Sequence, residues 1–410
     1  MPYLYSTLWI DGKTVTDLWA NAEKPIKTMW VADDNNGIKK VWDKYLKIGV
    51  EEVESPLMYI SALCYADGKL LILGKRQDDD IYNQKATICF LDTNQEGAEW
   101  VTKDSFFLHG DNDRYHICYD NGYFYFNEGI VPTGYVTLED TSQSLITRTT
   151  DGVHFESFQP QVWDNTSKRY TSLGFSGLGK FTVSNNCLIL SLYRLNDSRL
   201  NNWNAVELPA TFSDFVNFDH YHKTGKVEGD LLEFKEKYFM QTAGALLETD
   251  AEHILDYADY TKAKTYDSFY DGFNIERNDR LFVNELCGHN SQALKYLHYS
   301  TDGETFKEID LGEIGVNIQR VGFMHAVGDC VLMYLREYKV DEVTYNRVLL
   351  VINKDGDRQA WTQIPNDYML QWQKYGEGAD DFAGDGMTKY ALGYKVASNK
   401  YVYKLLKISF

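Results

Sequence analysis

Few side chains in this chain are spaced for chemistry. His220-Tyr221-His222 puts two imidazoles on one face of a strand, which is how a metal site begins. No acidic or Cys partner sits at a telling distance, so an exposed pair is the expectation. His109, Asp111, Asp113 and His116 cluster just before a strand and read as a loop cap. Residues 376–386 carry four Gly and four acidic residues. That is oxygen-rich enough for a calcium loop, but the spacing and closing Glu of an EF-hand are missing. Glycoside hydrolysis needs two carboxylates about 5–10 Å apart, a separation that no spacing along the chain establishes. There is no Gly-Lys-Ser/Thr phosphate loop, no Gly-x-Gly-x-x-Gly after a strand and no Gly-x-Ser-x-Gly elbow. No catalytic residue, metal-ligand set or cofactor is assigned, and the expectation is a protein that is not an enzyme.

The elements that would position any site are more informative. Tyr299-Ser300-Thr301-Asp302-Gly303-Glu304-Thr305-Phe306 reads as two strands joined by a tight turn. Asp can accept bonds from its own loop amides, Gly tolerates positive φ, and a Ser two residues before the Asp adds a side-chain bond. Thr149-Thr150-Asp151-Gly152-Val153-His154-Phe155 repeats that order. Asn353-Lys354-Asp355-Gly356 with Trp361 is a longer version, and Asp92 to Gly97 with Trp100 a degraded one.

A second repeat runs in phase with the first. A polar turn precedes an apolar strand at Asp67-Gly68, Asn121-Gly122, Asn185-Asn186, Lys235-Glu236, Asn278-Asp279, Gly328-Asp329 and Ser398-Asn399. The steps between successive turns are 54, 64, 50, 43, 50 and 70 residues. The Asp-Gly turns follow their hairpins by 24, 29, 23 and 26 residues. Four strands per unit at a period of about 40–50 residues is a propeller pattern. The fold class is therefore all-β, a β-propeller of seven blades, or six if Lys235-Glu236 does not begin one.

The Asp-Gly turns resemble the Asp-box of sialidase-like β-propellers, in its short Ser-x-Asp-Gly-x-x-aromatic form. The resemblance implies structural roles on the outer rim for Asp151, Gly152, Asp302, Gly303, Asp355 and Gly356. It does not extend to catalysis. A sialidase needs an arginine triad, a Tyr–Glu pair and an Asp acid, and the Arg-Ile-Pro signature expected in the first blade is missing.

Aromatic residues make up 15% of the chain and Pro is rare, which fits aromatic-rich strands and polar turns. The longest candidate for helix is one or two turns at Met369 to Tyr375. A net charge of −19 argues against nucleic acid and against an anionic membrane as partner. No apolar stretch approaches the ~20 residues of a membrane span, and the start lacks a basic, apolar leader. Synthesis in a host cytoplasm is the expectation. Six isolated cysteines read as free buried thiols.

Residues 1–50 differ from the rest. Trp9 to Trp19 and Trp30 to Trp42 each read as Trp, apolar residue, Asp/Asn/Gly turn, Lys, Val, Trp. An isolated hairpin is marginal in water, so such faces need a surface. These tandem units resemble short repeats in tail-associated proteins of bacteriophages of Gram-positive hosts. The resemblance implies a virion component, in tail, baseplate, fibre or capsid surface, that contacts other virion proteins or a host surface glycan. A glycan-binding or glycan-hydrolysing propeller is the alternative. Trp9, Trp19, Trp30 and Trp42 are the candidate docking residues. Residues 1–50 are assigned to docking or ring closure, with the Trp30–Trp42 hairpin packing beside 387–410. Residues 51–56 read as a charged linker within a 51–410 propeller.

Overall fold

The computed structural model describes residues 8–10, 13–15, 28–32 and 38–43, and then 48–76, 87–104, 116–130, 143–164, 168–172, 178–192, 202–212, 215–222, 231–242, 245–265, 273–277, 281–285, 296–312, 321–327, 330–340, 342–353, 356–370, 382–385, 388–397 and 400–410. Contacts divide the chain into two compact units, Met1–Lys47 and Ile48–Phe410. In the first, Leu8–Ile10 pairs with Lys13–Val15, and Thr28–Ala32 pairs with Ile38–Asp43, each as its own two-stranded sheet.

The second unit is a seven-bladed β-propeller. Blade 1 runs Tyr59–Ala66, Lys69–Lys75, Thr87–Asp92, Val101–Asp104, each strand antiparallel to the next. Blade 2 runs Ile117–Asp120, Tyr123–Ile130, Gln143–Thr149, Glu156–Asp164, and its last strand also pairs with Arg169–Ser172 and, in parallel, with Phe215–Phe218. Blade 3 is Leu178–Ser184, Cys187–Leu192, Asn202–Glu207, His220–His222. Blade 4 is Leu232–Phe234, Lys237–Thr242, Ala245–Thr249, Thr261–Thr265. Blade 5 is Phe273–Arg277, Leu281–Glu285, Tyr296–Ser300, Phe306–Asp310. Blade 6 is Val321–Val327, Cys330–Val340, Val343–Ile352, Arg358–Gln363.

Blade 7 departs from the sequence expectation. Its order is Phe382–Asp385, Thr388–Ala397, Lys400–Ser409, Gly49–Val53, with Met369–Leu370 added against Thr388–Ala397. Residues 382–385, within the acidic, glycine-rich stretch 376–386, are a strand lying next to the first strand of blade 1. First strands are neighbours in the same way between blades 1 and 2, 2 and 3, 4 and 5, and 5 and 6. The hairpin through Ser398-Asn399 thus joins the second and third strands of its blade, not the first and second. The segment read as a charged linker supplies the outermost strand. Backbone pairing needs no apolar side chains, and Glu51 and Glu52 keep their carboxylates outward: Glu51 lies 3.2 Å from Lys407 Nζ, and Glu52 accepts from Asn366 Nδ2 at 3.0 Å. The free edge of Lys400–Ser409 is therefore taken by residues 49–53, not by the Trp30–Trp42 hairpin. Met369 and Leu370, read as the start of a helical turn, pair as strand.

The second strand of each blade is apolar on both faces because each blade is sandwiched between two others. Side chains alternate across a strand. Leu71 and Leu73 enter a layer with Ile117, Phe124 and Phe126 of blade 2. Leu70 and Ile72 enter another with Tyr390, Leu392 and Leu405 of blade 7. Similar layers join blades 2 and 3, 3 and 4, 4 and 5, and 5 and 6. Each fully buried Leu or Phe in such a layer contributes about 1.5–3 kcal/mol. Both turn residues of the first hairpins of blades 1 to 4 have positive φ, as in Asn185 (49°) and Asn186 (61°) of blade 3. That is the primed turn whose twist matches a hairpin. Lys235 (53°) and Glu236 (64°) adopt it too, with side chains poorly suited to it. That hairpin begins blade 4, which makes the count seven rather than six.

Candidate functional site

The Asp-Gly turns show how a short motif builds its own geometry. Asp302 Oδ1 accepts the Glu304 and Thr305 amides, each at 2.8 Å. The Ser300 hydroxyl donates to the same carboxylate at 2.8 Å and accepts from the Gly303 amide at 2.8 Å. Asp151 repeats the pattern, with the Val153 and His154 amides at 2.8 Å and His154 Nδ1 2.7 Å from Oδ2. Thr149 takes the place of Ser300, accepting from the Gly152 amide at 2.9 Å. The Thr305 and Glu304 amides and the Ser300 hydroxyl hold the Asp302 carboxyl well below the usual carboxylate range. Burial pushes Asp151 up, but the bonds from His154 and the Val153 amide outweigh it, and the group is lowered to about 2.

These turns also staple blades together. A Cβ on Gly152 would stand 2.3 Å from Phe90 Cβ of blade 1, and one on Gly356 would stand 2.8 Å from Ile309 Cγ2 of blade 5. Gly303 lies against Phe239 of blade 4. Each turn thus rests on the blade before its own. Asp355 lies outside the described residues; the acceptor seen in that turn is Asn353, whose Oδ1 takes the Asp357 amide at 2.8 Å. In blade 1, Asp92 accepts from the Asn94 amide at 3.1 Å and from Gln95 Nε2 at 2.9 Å.

Blade 4 has a further turn of this kind that the sequence analysis passed over. Asp250 Oδ1 accepts the Glu252 and His253 amides at 3.0 and 3.1 Å, and His253 Nδ1 lies 2.7 Å away. The signal was present: Thr-Asp-x-x-His occurs at 150–154 and again at 249–253. Ala251 replaces the Gly, which hid it from a search for Asp-Gly.

The other candidates do not converge. Trp9, Trp30 and Trp42 lie on paired strands, and Trp19 lies outside the described residues. His220–His222 is the outermost strand of blade 3, with His220 exposed. His109, Asp111 and Asp113 lie outside the described residues. His116 is buried, edge-on to Phe181, and its amide donates to Asn127 Oδ1 at 2.9 Å. Among the described residues, no three His, Cys, Asp or Glu side chains gather as a metal would require. Burial pushes the Cys89 thiol up to about 12 and Cys187 up to about 11, as for thiols that serve as core.

One pocket is built where none was read from sequence. It measures about 320 Å³ and lies between blades 6 and 7, lined by Tyr334, Arg336, Asn346 and Arg347 on one side and by Met369, Leu370 and Tyr394 on the other. The two long central strands of blade 6, Cys330–Val340 and Val343–Ile352, extend beyond their neighbours as a paired hairpin. Trp361 braces it, 4.6 Å from Tyr345 and 6.1 Å from Tyr338 between ring centroids. Tyr334 is buried, and its hydroxyl oxygen accepts the Leu370 amide at 3.4 Å. Burial pushes that phenol up, so it stays protonated at neutral pH. Arg347 has φ 58°, with its carbonyl held by the Ile364 amide at 2.9 Å.

No protein-family model matches the chain, and neither does any curated protein. Among solved structures, the β-propeller domain of the Trilobed protease from Pyrococcus furiosus is 10% identical, with 85% of this chain and 94% of that chain covered and a TM-score of 0.47. A structure from work on two prolyl endopeptidases is 12% identical over 85% of this chain and 50% of its own, at 0.44. Trypanosoma rangeli sialidase is 10% identical over 93% and 56%, at 0.36. The chain spans about half the length of these last two proteins. At such identities no activity carries over from them.

Proposed function

We propose that this chain is a non-catalytic structural and binding protein of a phage virion, with its propeller as a contact platform and its Trp hairpins as docking elements. One observation carries the reading. Residues 49–53 of the propeller unit take the free edge of Lys400–Ser409. The tandem hairpins of residues 1–47 are then not needed for that edge, and short hairpins with Trp in their arms need a surface to pack on, which a partner would supply. The Asp-box carboxylates support it as well, since Asp151 and Asp302 are occupied by their own turn amides. Other virion proteins are the first partner class and a host surface glycan the second. Electron microscopy of purified particles, with an antibody against the chain, tests the reading. The expected result is label at tail, baseplate, fibre or capsid surface; particles without it would overturn the assignment. Purified protein should leave sialosides and aryl glycosides intact, whereas turnover abolished by one carboxylate substitution would make it an enzyme.

A further inference from the structure

We propose that the outer edge of residues 400–404 in blade 7 takes up an acidic, extended segment of a partner protein as an added β-strand. The inference does not depend on the virion reading. Lys400–Ser409 is ten residues long, and the closing strand Gly49–Val53 pairs with it from Leu405 to Ser409. Beyond Val53 the chain turns away from the edge. The Trp100 indole of blade 1 donates to the Glu54 carbonyl at 3.0 Å, and the Leu57 amide donates to the Ser55 hydroxyl at 3.1 Å. Among the described residues no strand pairs with 400–404 on that side. Such an edge is a template for one more strand.

Charge selects the strand. Residues 387–410 hold five Lys and no Asp or Glu, whereas the other 386 residues hold 36 Lys and Arg against 60 Asp and Glu. Three of the five lysines are engaged within the propeller. Lys389 is buried, Lys395 Nζ lies 4.4 Å from the centre of the Tyr368 ring, and Lys407 Nζ lies 3.2 Å from Glu51. Lys404 is exposed on the uncovered half, which Lys400 begins. The covered half shows what this edge accepts: the strand seated there reads Gly-Val-Glu-Glu-Val and pairs Glu51 directly with Lys407. Opposite charges across a pair of strands attract, and like charges repel. An antiparallel second copy of 400–404 would set Lys400 against Lys404, so the edge keeps its own kind away. A segment with Glu or Asp at positions i and i+4 would instead match Lys404 and Lys400 in turn. An apolar residue between them would lie across from Val402, which is half-buried.

The test is a ligand-observed NMR titration of the full chain with three capped peptides, followed by hydrogen exchange with the first at saturation. The peptides are Glu-Thr-Val-Thr-Glu, Lys-Thr-Val-Thr-Lys and Glu-Pro-Pro-Pro-Glu. The first should bind at least about fivefold more tightly than the lysine peptide, and more weakly as salt screens the charges. The proline peptide keeps both carboxylates but lacks the three central amide donors, so it should also bind at least about fivefold more weakly. Exchange should slow at residues 400–404 and stay unchanged at 49–53. Lys404→Glu alters an exposed side chain. It should melt like the parent and weaken the first peptide at least about fivefold. No binding of that peptide, equal binding of either control, unslowed exchange at 400–404, or unchanged affinity in Lys404→Glu would each overturn the proposal. So would a dimer of the full chain that the peptide dissociates, since the edge would then belong to a second copy.

Discussion

Asp151 and Asp302 show how much of a turn one carboxylate can organise. Both groups are held below the ordinary carboxylate range, so each stabilises the folded chain in its charged form. For Asp151 that contribution is fully present above the unfolded value of about 4 and is lost as pH falls toward about 2. Asp151→Ala should therefore lower the melting temperature at neutral pH, with the gap to the parent closing across that acidic window. Asp302→Ala should behave alike, its gap closing at still lower pH. A gap of constant size in melts recorded across the window would show that the carboxylates act otherwise. Gly152 tests the staple. An added methyl there meets Phe90 as well as the positive φ of 70°, whereas Gly122, at 85°, has nothing within 4 Å. Urea unfolding should give Gly122→Ala a cost of about 1–2 kcal/mol from conformation alone. Gly152→Ala should lose about 1–3 kcal/mol more from overpacking.

At the scale of the element, the apolar second strands and their turns recur in blade after blade, while turn chemistry varies. Lys235 and Glu236 adopt the backbone that Asn-Gly would prefer. The layers on both sides dictate it, since Tyr238 and Met240 pack with blade 3 and Phe239 and Leu246 with blade 5. Replacing Lys235-Glu236 with Asn-Gly should raise stability by about 1 kcal/mol, measured by chemical unfolding. A loss would mean that the long side chains contribute more than their backbone costs. Of the site elements, the Asp-Gly turns were legible because their chemistry is local: acceptor, amides and glycine lie within a few residues. The pocket was not. Arg336 and Arg347 belong to neighbouring strands, Tyr394 to the next blade, and nothing in their spacing relates them.

For the whole molecule, ring closure decides which truncations survive. Removing residues 1–47 keeps Gly49–Val53 on the edge of Lys400–Ser409. That fragment should stay monomeric by size-exclusion chromatography and melt close to the full chain. Removing residues 1–54 also takes the closing strand, baring a row of backbone donors and acceptors. It should aggregate or melt well below the parent. Equal melting of the two fragments would mean that the closing strand contributes little.

The sequence by itself determined the all-β class and the repeat of apolar strands and polar turns, and it set the acceptors Asp151 and Asp302 within reach of their own turn amides. These rest on short-range rules: alternation along a strand, the φ that a turn demands, the reach of a side chain to its own amides. Tertiary structure decided the rest. It placed residues 49–53 at the outer edge of the last blade, because closing a ring joins segments more than 300 positions apart through backbone bonds that leave no mark in side-chain type. It also brought two guanidiniums and two tyrosines to one pocket, since packing neighbouring blades sets residues side by side whatever their distance along the chain.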